Sequence, residues 1–333
     1  MTVAYSPGRV NLIGDHTDYS GGLVCPMAIN LGTTVRVQRG GDCVHLTSAA
    51  DPLPAALALA LSDPRKVEPP WARYVAGVVS ELRPRIGATG TVTTTLPIGA
   101  GLSSSAALEL AFALVMGAGP DDPAALADLC QRAEQRASGV PCGIMDQLVC
   151  ATGLAGHAIL IDCTTRERIP VAIPADVEIV VVDSGQTRAL AGSQYAARRS
   201  EVEAAARSLG LPLRDAENPT TIGDPVLRRR ARHVISENHR VRDFVEALRS
   251  ADPASGGRLM TESHISLRDD FEVSTPVVDA LVAQLTATDG VWGARMTGAG
   301  FGGCVVALTR PGALAGWSAW VVTASDGARI LTP

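Results

Sequence analysis

The chain has 333 residues, a net charge of −5 and a single lysine, Lys66. That length allows two domains, each with a sizeable core, while the scarce lysine and dispersed arginines argue against a nucleic-acid or anionic-membrane partner. No segment reaches the about 18 uncharged apolar residues of a membrane span, Met1 to Val10 carries no signal-peptide core, and seven cysteines without a Cys-x-x-Cys read as reduced core thiols, so a cytoplasmic protein is expected.

Along the chain, strands alternate with helices. Thr33 to Gln38 and Val44 to Thr47 read as strands. Trp71, Tyr74, Val75, Val78, Val79 and Leu82 then repeat at helical spacing. A β-branched run, Thr91 to Thr95, leads into a helical run, Ala106 to Met116, and Ala125 to Ser138 forms the next helix. Strands at His157 to Asp162 and Glu178 to Asp183 precede a helix over Gln194 to Leu209. Leu211 to Pro225, rich in proline, asparagine and threonine and without periodicity, reads as a linker. Helices resume over Val226 to Ser250, Gly256 to Arg268 and Pro276 to Ala287, and Cys304 to Leu308 is a closing strand. The arginine run Leu227-Arg228-Arg229-Arg230-Ala231-Arg232 reads as a solvated helix face.

Three glycine-bearing segments interrupt this alternation: Gly8 to Tyr19, Leu96 to Ala107 and Met296 to Gly303. The middle one lies where a strand turns into a helix. There, free N–H groups and the helix dipole favour an anion, and Gly99, Gly101 and Leu102-Ser103-Ser104-Ser105-Ala106 allow a phosphate to approach closely. Lys66 follows Arg65 in a proline-rich stretch, so neither a Walker loop nor the strand lysine of a protein kinase is available. Gly298-Ala299-Gly300-Phe301-Gly302-Gly303 precedes a strand instead of following one, which removes the dinucleotide fingerprint.

Taken together, the segments resemble the GHMP-type small-molecule kinases, and among them the galactokinases. The resemblance runs through Gly8 to Tyr19, the serine loop, Pro141-Cys142-Gly143-Ile144-Met145-Asp146-Gln147, Ser193-Gln194-Tyr195, Glu262 to Asp270 and the closing glycine segment. It implies an α+β, two-lobed GHMP kinase fold with the active site in the cleft between lobes 1–165 and 166–333. It also implies phosphorylation of D-galactose at the anomeric C1 hydroxyl, with ATP as co-substrate, Mg2+ as cofactor and small-molecule substrates instead of nucleic acid or membrane as partners, the oligomeric state being left open. The alternatives are a kinase for N-acetylgalactosamine, arabinose or galacturonate, and a non-catalytic galactose sensor. Such sensors lack a Ser-Ala pair in the serine loop, and Ser105-Ala106 is present here.

Phosphoryl transfer to a hydroxyl needs a positioned acceptor for its proton, a metal and donors to the transferring group. Asp146 lies among apolar neighbours, where an isolated charge is costly, so it needs a partner. The family pattern supplies Arg9. Ser105 and Glu134 offer the hard oxygen ligands that magnesium prefers, although Glu134 also reads as a member of an Arg132-Glu134-Arg136 polar face and Ser104 competes for the phosphate or a helix cap. On the sugar side the resemblance points to Asp15, His16, Asp18, Gly143 and Tyr195, and it places Trp71 on the adenine side, where a helical aromatic stripe also reads as core. Asp15 stands where most of the family has glutamate in the pair that reaches the C6 hydroxyl. The shorter side chain implies a weaker grip on C6.

Overall fold

A computed structural model of the chain describes residues 1–119, 121–186 and 191–331, without the side chains of 191–193. Ser193 therefore lies outside the described side chains. The strands are β1 (Thr2–Asn11), β2 (Leu23–Val24), β3 (Pro26–Arg39), β4 (Cys43–Ser48), β5 (Asp51–Ala58), β6 (Ala88–Thr94), β7 (His157–Asp162), β8 (Arg168–Ala172), β9 (Glu178–Asp183), β10 (Val291–Met296), β11 (Cys304–Thr309), β12 (Ala319–Val322) and β13 (Arg329–Leu331). The helices are α1 (Ala72–Leu82), α2 (Ser104–Val115), α3 (Pro123–Ser138), α4 (Met145–Thr152), α5 (Ala191–Leu209), α6 (Pro225–Arg249), α7 (Pro253–Asp269) and α8 (Pro276–Thr286).

Three sheets organise the described residues, in the orders β13-β1-β3-β6-β4-β5, β10-β11-β9-β12 and β2-β7-β8. In the first, β4 and β6 run parallel and the remaining pairs are antiparallel. Its core packs against α1 to α4, and α2 is buried from Ala106 to Val115, as expected of a helix that is almost wholly apolar. A second core joins the glycine-rich opening to α6 and α7, and a third lies beneath the four-stranded sheet. No helix among the described residues is long and apolar enough to cross a membrane.

The expected elements recur, β3 beginning at Pro26 well before the expected Thr33 and the others shifting less, and β7 and β9 begin and end where the sequence places them. Two expectations need correction. Residues 211–225 are no free linker: Leu213 and Ile222 are buried, and Arg214 Nη2 pairs with Asp162 at 2.6 Å. The arginine run is not a solvated face either. Arg230 is 2% exposed and binds Glu201 at 2.6 Å and Glu272 at 2.5 Å, while Arg229 and Arg232 pair with Glu272 and Asp270. Burying a guanidinium among carboxylates costs less than burying it alone, so these arginines clamp α6 to α5 and to the segment after α7. The strand β5 escaped notice because Pro52 and Pro54 interrupt it; as an edge strand paired only with β4, it tolerates their missing donors.

Candidate active site

Arg9 sits in β1 just past a register irregularity between Pro7 and Arg9, where pairing with β3 resumes opposite Ala28 and the backbone meets the serine loop. Its N–H donates to Leu102 O at 3.1 Å and its Nη1 to Gly101 O at 2.6 Å. A Cβ on Gly8 would come within 2.5 Å of Leu102 O, so the approach depends on that glycine. The rest of the guanidinium grips Asp146, with Nε to Oδ1 at 2.8 Å and Nη2 to Oδ2 at 2.7 Å, a bidentate fork. Asp146 lies in the first turn of α4, where the helix dipole also favours its charge. Burial alone would lower the Arg9 pKa, but the carboxylates of Asp146 and Asp15 raise it above the ordinary value.

The serine loop completes the grip on Asp146 in a way its sequence did not announce. Ser103 precedes α2 in the left-handed region, φ +60°, an unusual conformation for a residue with a Cβ. In that position its hydroxyl makes no helix cap and instead donates to Asp146 Oδ2 at 2.5 Å. The opening N–H groups of α2 are thereby left without a side-chain cap, as an anion site requires.

Beyond Asp146, Ser105 Oγ donates to Glu134 Oε1 at 2.9 Å, and Gln147 Nε2 donates to Glu134 Oε2. Glu134 is thus separated from the polar face of α3, whose Arg132 and Arg136 both turn to Glu81. Burial, and next the charge of Asp146, push the Glu134 pKa up to about 7.

The sugar-side residues also converge. Asp15, 2% exposed, accepts from Gly298 N–H at 3.1 Å through Oδ1, while its Oδ2 lies 2.7 Å from Nη2 of the fully buried Arg295, paired by charge without hydrogen-bond alignment. His16 has both ring nitrogens engaged: Nε2–H donates to Ala299 O at 3.2 Å and Nδ1 accepts from the Tyr19 hydroxyl at 3.0 Å. Its ring lies 4.7 Å from Phe271 and 5.5 Å from Tyr195, and burial, aided by His233, lowers its pKa to about 3. His16 is therefore a neutral wall held by protein partners. Burial, and then Asp146, raise the Asp18 pKa to about 7. A Cβ at position 143 would lie 1.8 Å from Asp18 Oδ2, so Gly143 makes room for that carboxylate.

Helix α6 supports this loop from beneath. Glu237 Oε1 accepts from Gly14 N–H at 2.9 Å and from Ser263 Oγ at 2.5 Å, and its Oε2 accepts from Arg240 at 2.7 Å. The buried His233 donates Nε2–H to Asp15 O at 3.1 Å, and its pKa falls to about 4, chiefly through burial. A ring held neutral contributes stability that is complete above the unfolded pKa of about 6.5 and is lost as pH falls towards 4. His233→Gln should therefore narrow its melting-temperature gap to the native protein between pH 7 and pH 5, a change of about 2 kcal/mol in relative stability. A gap that does not vary with pH would show that the ring titrates alike in both states.

Two cavities meet at these residues. One, of about 320 Å³, is lined by Arg9, Asp15, His16, Asp18, Glu134, Gly143, Asp146 and Tyr195. The other, of about 1050 Å³, is lined by Trp71, Ile98, Gly99, Ser104 and Ser105 among others, and Tyr74 and Ser138 border both. The structure thus gathers Arg9, Asp15, His16, Asp18, Trp71, Gly99, Ser104, Ser105, Glu134, Gly143, Asp146 and Tyr195 around the two cavities, whereas Gly101, Leu102, Ser103 and Ala106 line neither. It adds Arg295, Glu237, Gln147 and the Ser103 contact. Arg295, the one charged residue of the strand Val291–Met296, could have been suspected, since a charge in such a strand needs a buried partner.

Residues 2–39 match the galactokinase galactose-binding signature, residues 73–154 the GHMP kinases N terminal domain and residues 244–316 the GHMP kinases C terminal domain. Galactokinases of Bos taurus and Homo sapiens are 43% and 42% identical, each over 92% of this chain and 83% of their own length. The structure of Lactococcus lactis galactokinase complexed with galactose superposes with a TM-score of 0.90 at 32% identity, covering 99% of this chain and 95% of that one. Methanococcus jannaschii mevalonate kinase, at 20% identity and TM-score 0.68 over 97% and 98% of the two chains, shares the fold. With the opening signature and both kinase domains in one chain, and this identity along nearly its whole length, the chain belongs to the galactokinase family of GHMP kinases.

Proposed function

We infer that this chain transfers the γ-phosphoryl group of ATP to the anomeric C1 hydroxyl of D-galactose, giving α-D-galactose 1-phosphate and ADP. The observation that carries this reading is the pairing of a hexose-sized cavity of about 320 Å³ with a cleft of about 1050 Å³ that meets it beside Asp146, Ser105 and Glu134. Galactose occupies the first and ATP the second, with its phosphates over the start of α2 and its base towards Trp71. Asp146, oriented by Arg9 and Ser103, accepts the C1 hydroxyl proton as the new O–P bond forms and the bond to the ADP oxygen breaks. Arg9 also places positive charge beside the transferring group. Gly99, Gly101, Leu102, Ser104 and Ala106 cradle the phosphates.

Ser105 Oγ and Glu134 fit a magnesium ion: both are oxygen donors already within 2.9 Å of each other, and the Glu134 carboxyl, raised to about 7 by burial and Asp146, is a site that a cation would favour. Bound there with the phosphates, magnesium would neutralise phosphate charge. A division into lobes near residue 165 is supported by the two larger sheets, drawn from residues 2–94 and 178–322, although β13 crosses back and the β7–β8 hairpin spans the boundary. Seven free thiols accord with a reducing cytoplasm.

ADP release measured with galactose, 2-deoxygalactose, N-acetylgalactosamine, arabinose and glucose tests the reading, and turnover absent with galactose would overturn it. The same assay addresses C6. Asp15 is one methylene shorter than the family's glutamate, and its carboxylate is drawn to Gly298 and Arg295, so a direct charge-assisted bond to the 6-hydroxyl, worth about 1.5–3 kcal/mol, is not expected. Accordingly, 6-deoxygalactose should lose less than about tenfold in kcat/KM. A loss of a hundredfold or more would show that Asp15 or His16 grips C6 after all.

A further inference from the structure

Glu109 is the one polar residue in the buried stretch Ala106 to Val115 of α2, and it is 0% exposed. It lines neither cavity described above. Its Oε1 has no hydrogen-bond partner among the described residues, and its Oε2 lies 3.4 Å from Gln147 Nε2. The same Gln147 nitrogen donates to Glu134 Oε2, so one buried amide stands between two carboxyl groups. Burial, and then the charge of Glu134, push the Glu109 pKa well above the ordinary carboxylate range.

A lone carboxyl inside an apolar helix weakens the core unless it does something a leucine cannot. What it can do here is accept the second N–H of Gln147. A neutral carboxyl accepts that hydrogen bond without placing another negative charge beside Glu134. If Glu109 were apolar, that N–H would be buried without an acceptor, and the amide would swing towards other partners and release Glu134. We propose that Glu109 is a positioning residue that, through the Gln147 amide, holds the Glu134 carboxylate facing Ser105 and the phosphate end of the cleft. The proposal rests on the reading of Glu134 as a magnesium ligand.

The test compares Glu109→Leu, Glu109→Gln, Gln147→Leu and Glu134→Gln in two measurements: Mn2+ binding to the ADP-saturated protein by calorimetry, and the Mg2+ concentration for half-maximal turnover. Glu109→Leu should weaken Mn2+ binding and raise the Mg2+ requirement about tenfold, the scale of lost support behind a metal ligand, with galactose affinity unchanged. Glu109→Gln, which keeps a neutral acceptor, should stay within about twofold of the native protein. If Glu109→Leu does not fold, Gln147→Leu should show the same tenfold loss. A shift in Glu134→Gln with none in Glu109→Leu or Gln147→Leu overturns the positioning role alone. Unchanged metal binding in Glu134→Gln removes the metal reading and the proposal with it. A Glu109→Gln variant as impaired as Glu109→Leu would show that the group acts as a charge, contrary to the proposal.

Discussion

Asp146→Asn should leave a folded protein whose turnover falls by at least the ~10² typical of a lost general base. The amide keeps the volume and one acceptor for the Arg9 fork, yet it cannot take up the proton of the sugar hydroxyl. Arg9→Leu should be comparably damaging, since it removes both the bidentate hold at 2.7 and 2.8 Å and the positive charge beside the transferring group. Because the two side chains act as one unit, the double variant should lose far less than the two single losses combined. Near-native turnover by a folded Asp146→Asn would sink the assignment, and simple additivity would sink the coupling.

The largest effect on stability is expected from Arg295→Met. Arg295 is fully buried, with Nη2 at 2.7 Å from Asp15 and 3.7 Å from Glu237. Removing one partner of a buried pair leaves an uncompensated charge, a loss of about 3–5 kcal/mol. Glu237 keeps Arg240, Ser263 and the Gly14 N–H, so the deficit falls on Asp15, whose remaining donor is the Gly298 N–H. Burial already raises the Asp15 pKa against the opposition of Arg295, and the variant should drive it towards the protonated form. Adding Asp15→Asn to Arg295→Met should recover much of the lost stability, because no charge is then left unpaired. Thermal melts of the three variants decide this: a double variant as unstable as the two single losses added together would mean that the ion pair is incidental.

Most of the candidate site was legible because its chemistry is written in short segments. The serine loop announced an anion site through the strand before it and the apolar helix after it, and Asp146 announced a need for a counter-charge through its neighbours. What escaped was written across long separations. Arg295 meets Asp15 across most of the chain, and nothing in Arg295-Met296 says which carboxylate it faces. The Arg228–Arg232 run looked solvated because local composition cannot reveal that Glu201 and Glu272 close over Arg230. The short strands β2, β8, β12 and β13 carry too few residues for a period-2 pattern, and they exist because sheet neighbours complete them. Ser103 read as a phosphate ligand of the serine loop, and its left-handed backbone instead turns the hydroxyl to Asp146.

The strand that carries Arg9 lies between β3 and β13, paired through Val3 with Leu331 and through Tyr5 with Arg329. During synthesis Thr2–Asn11 emerges long before Arg329–Leu331, its neighbour on the outer edge. Until then the ladder from Val3 to Tyr5 has one side open, an unpaired edge of the kind on which nascent chains mispair. The final closure is among the most non-local contacts the topology contains, which places it late in folding. On a ribosome, therefore, a strand made early is sealed late, and the sheet that carries Arg9 is complete only once β13 has been added.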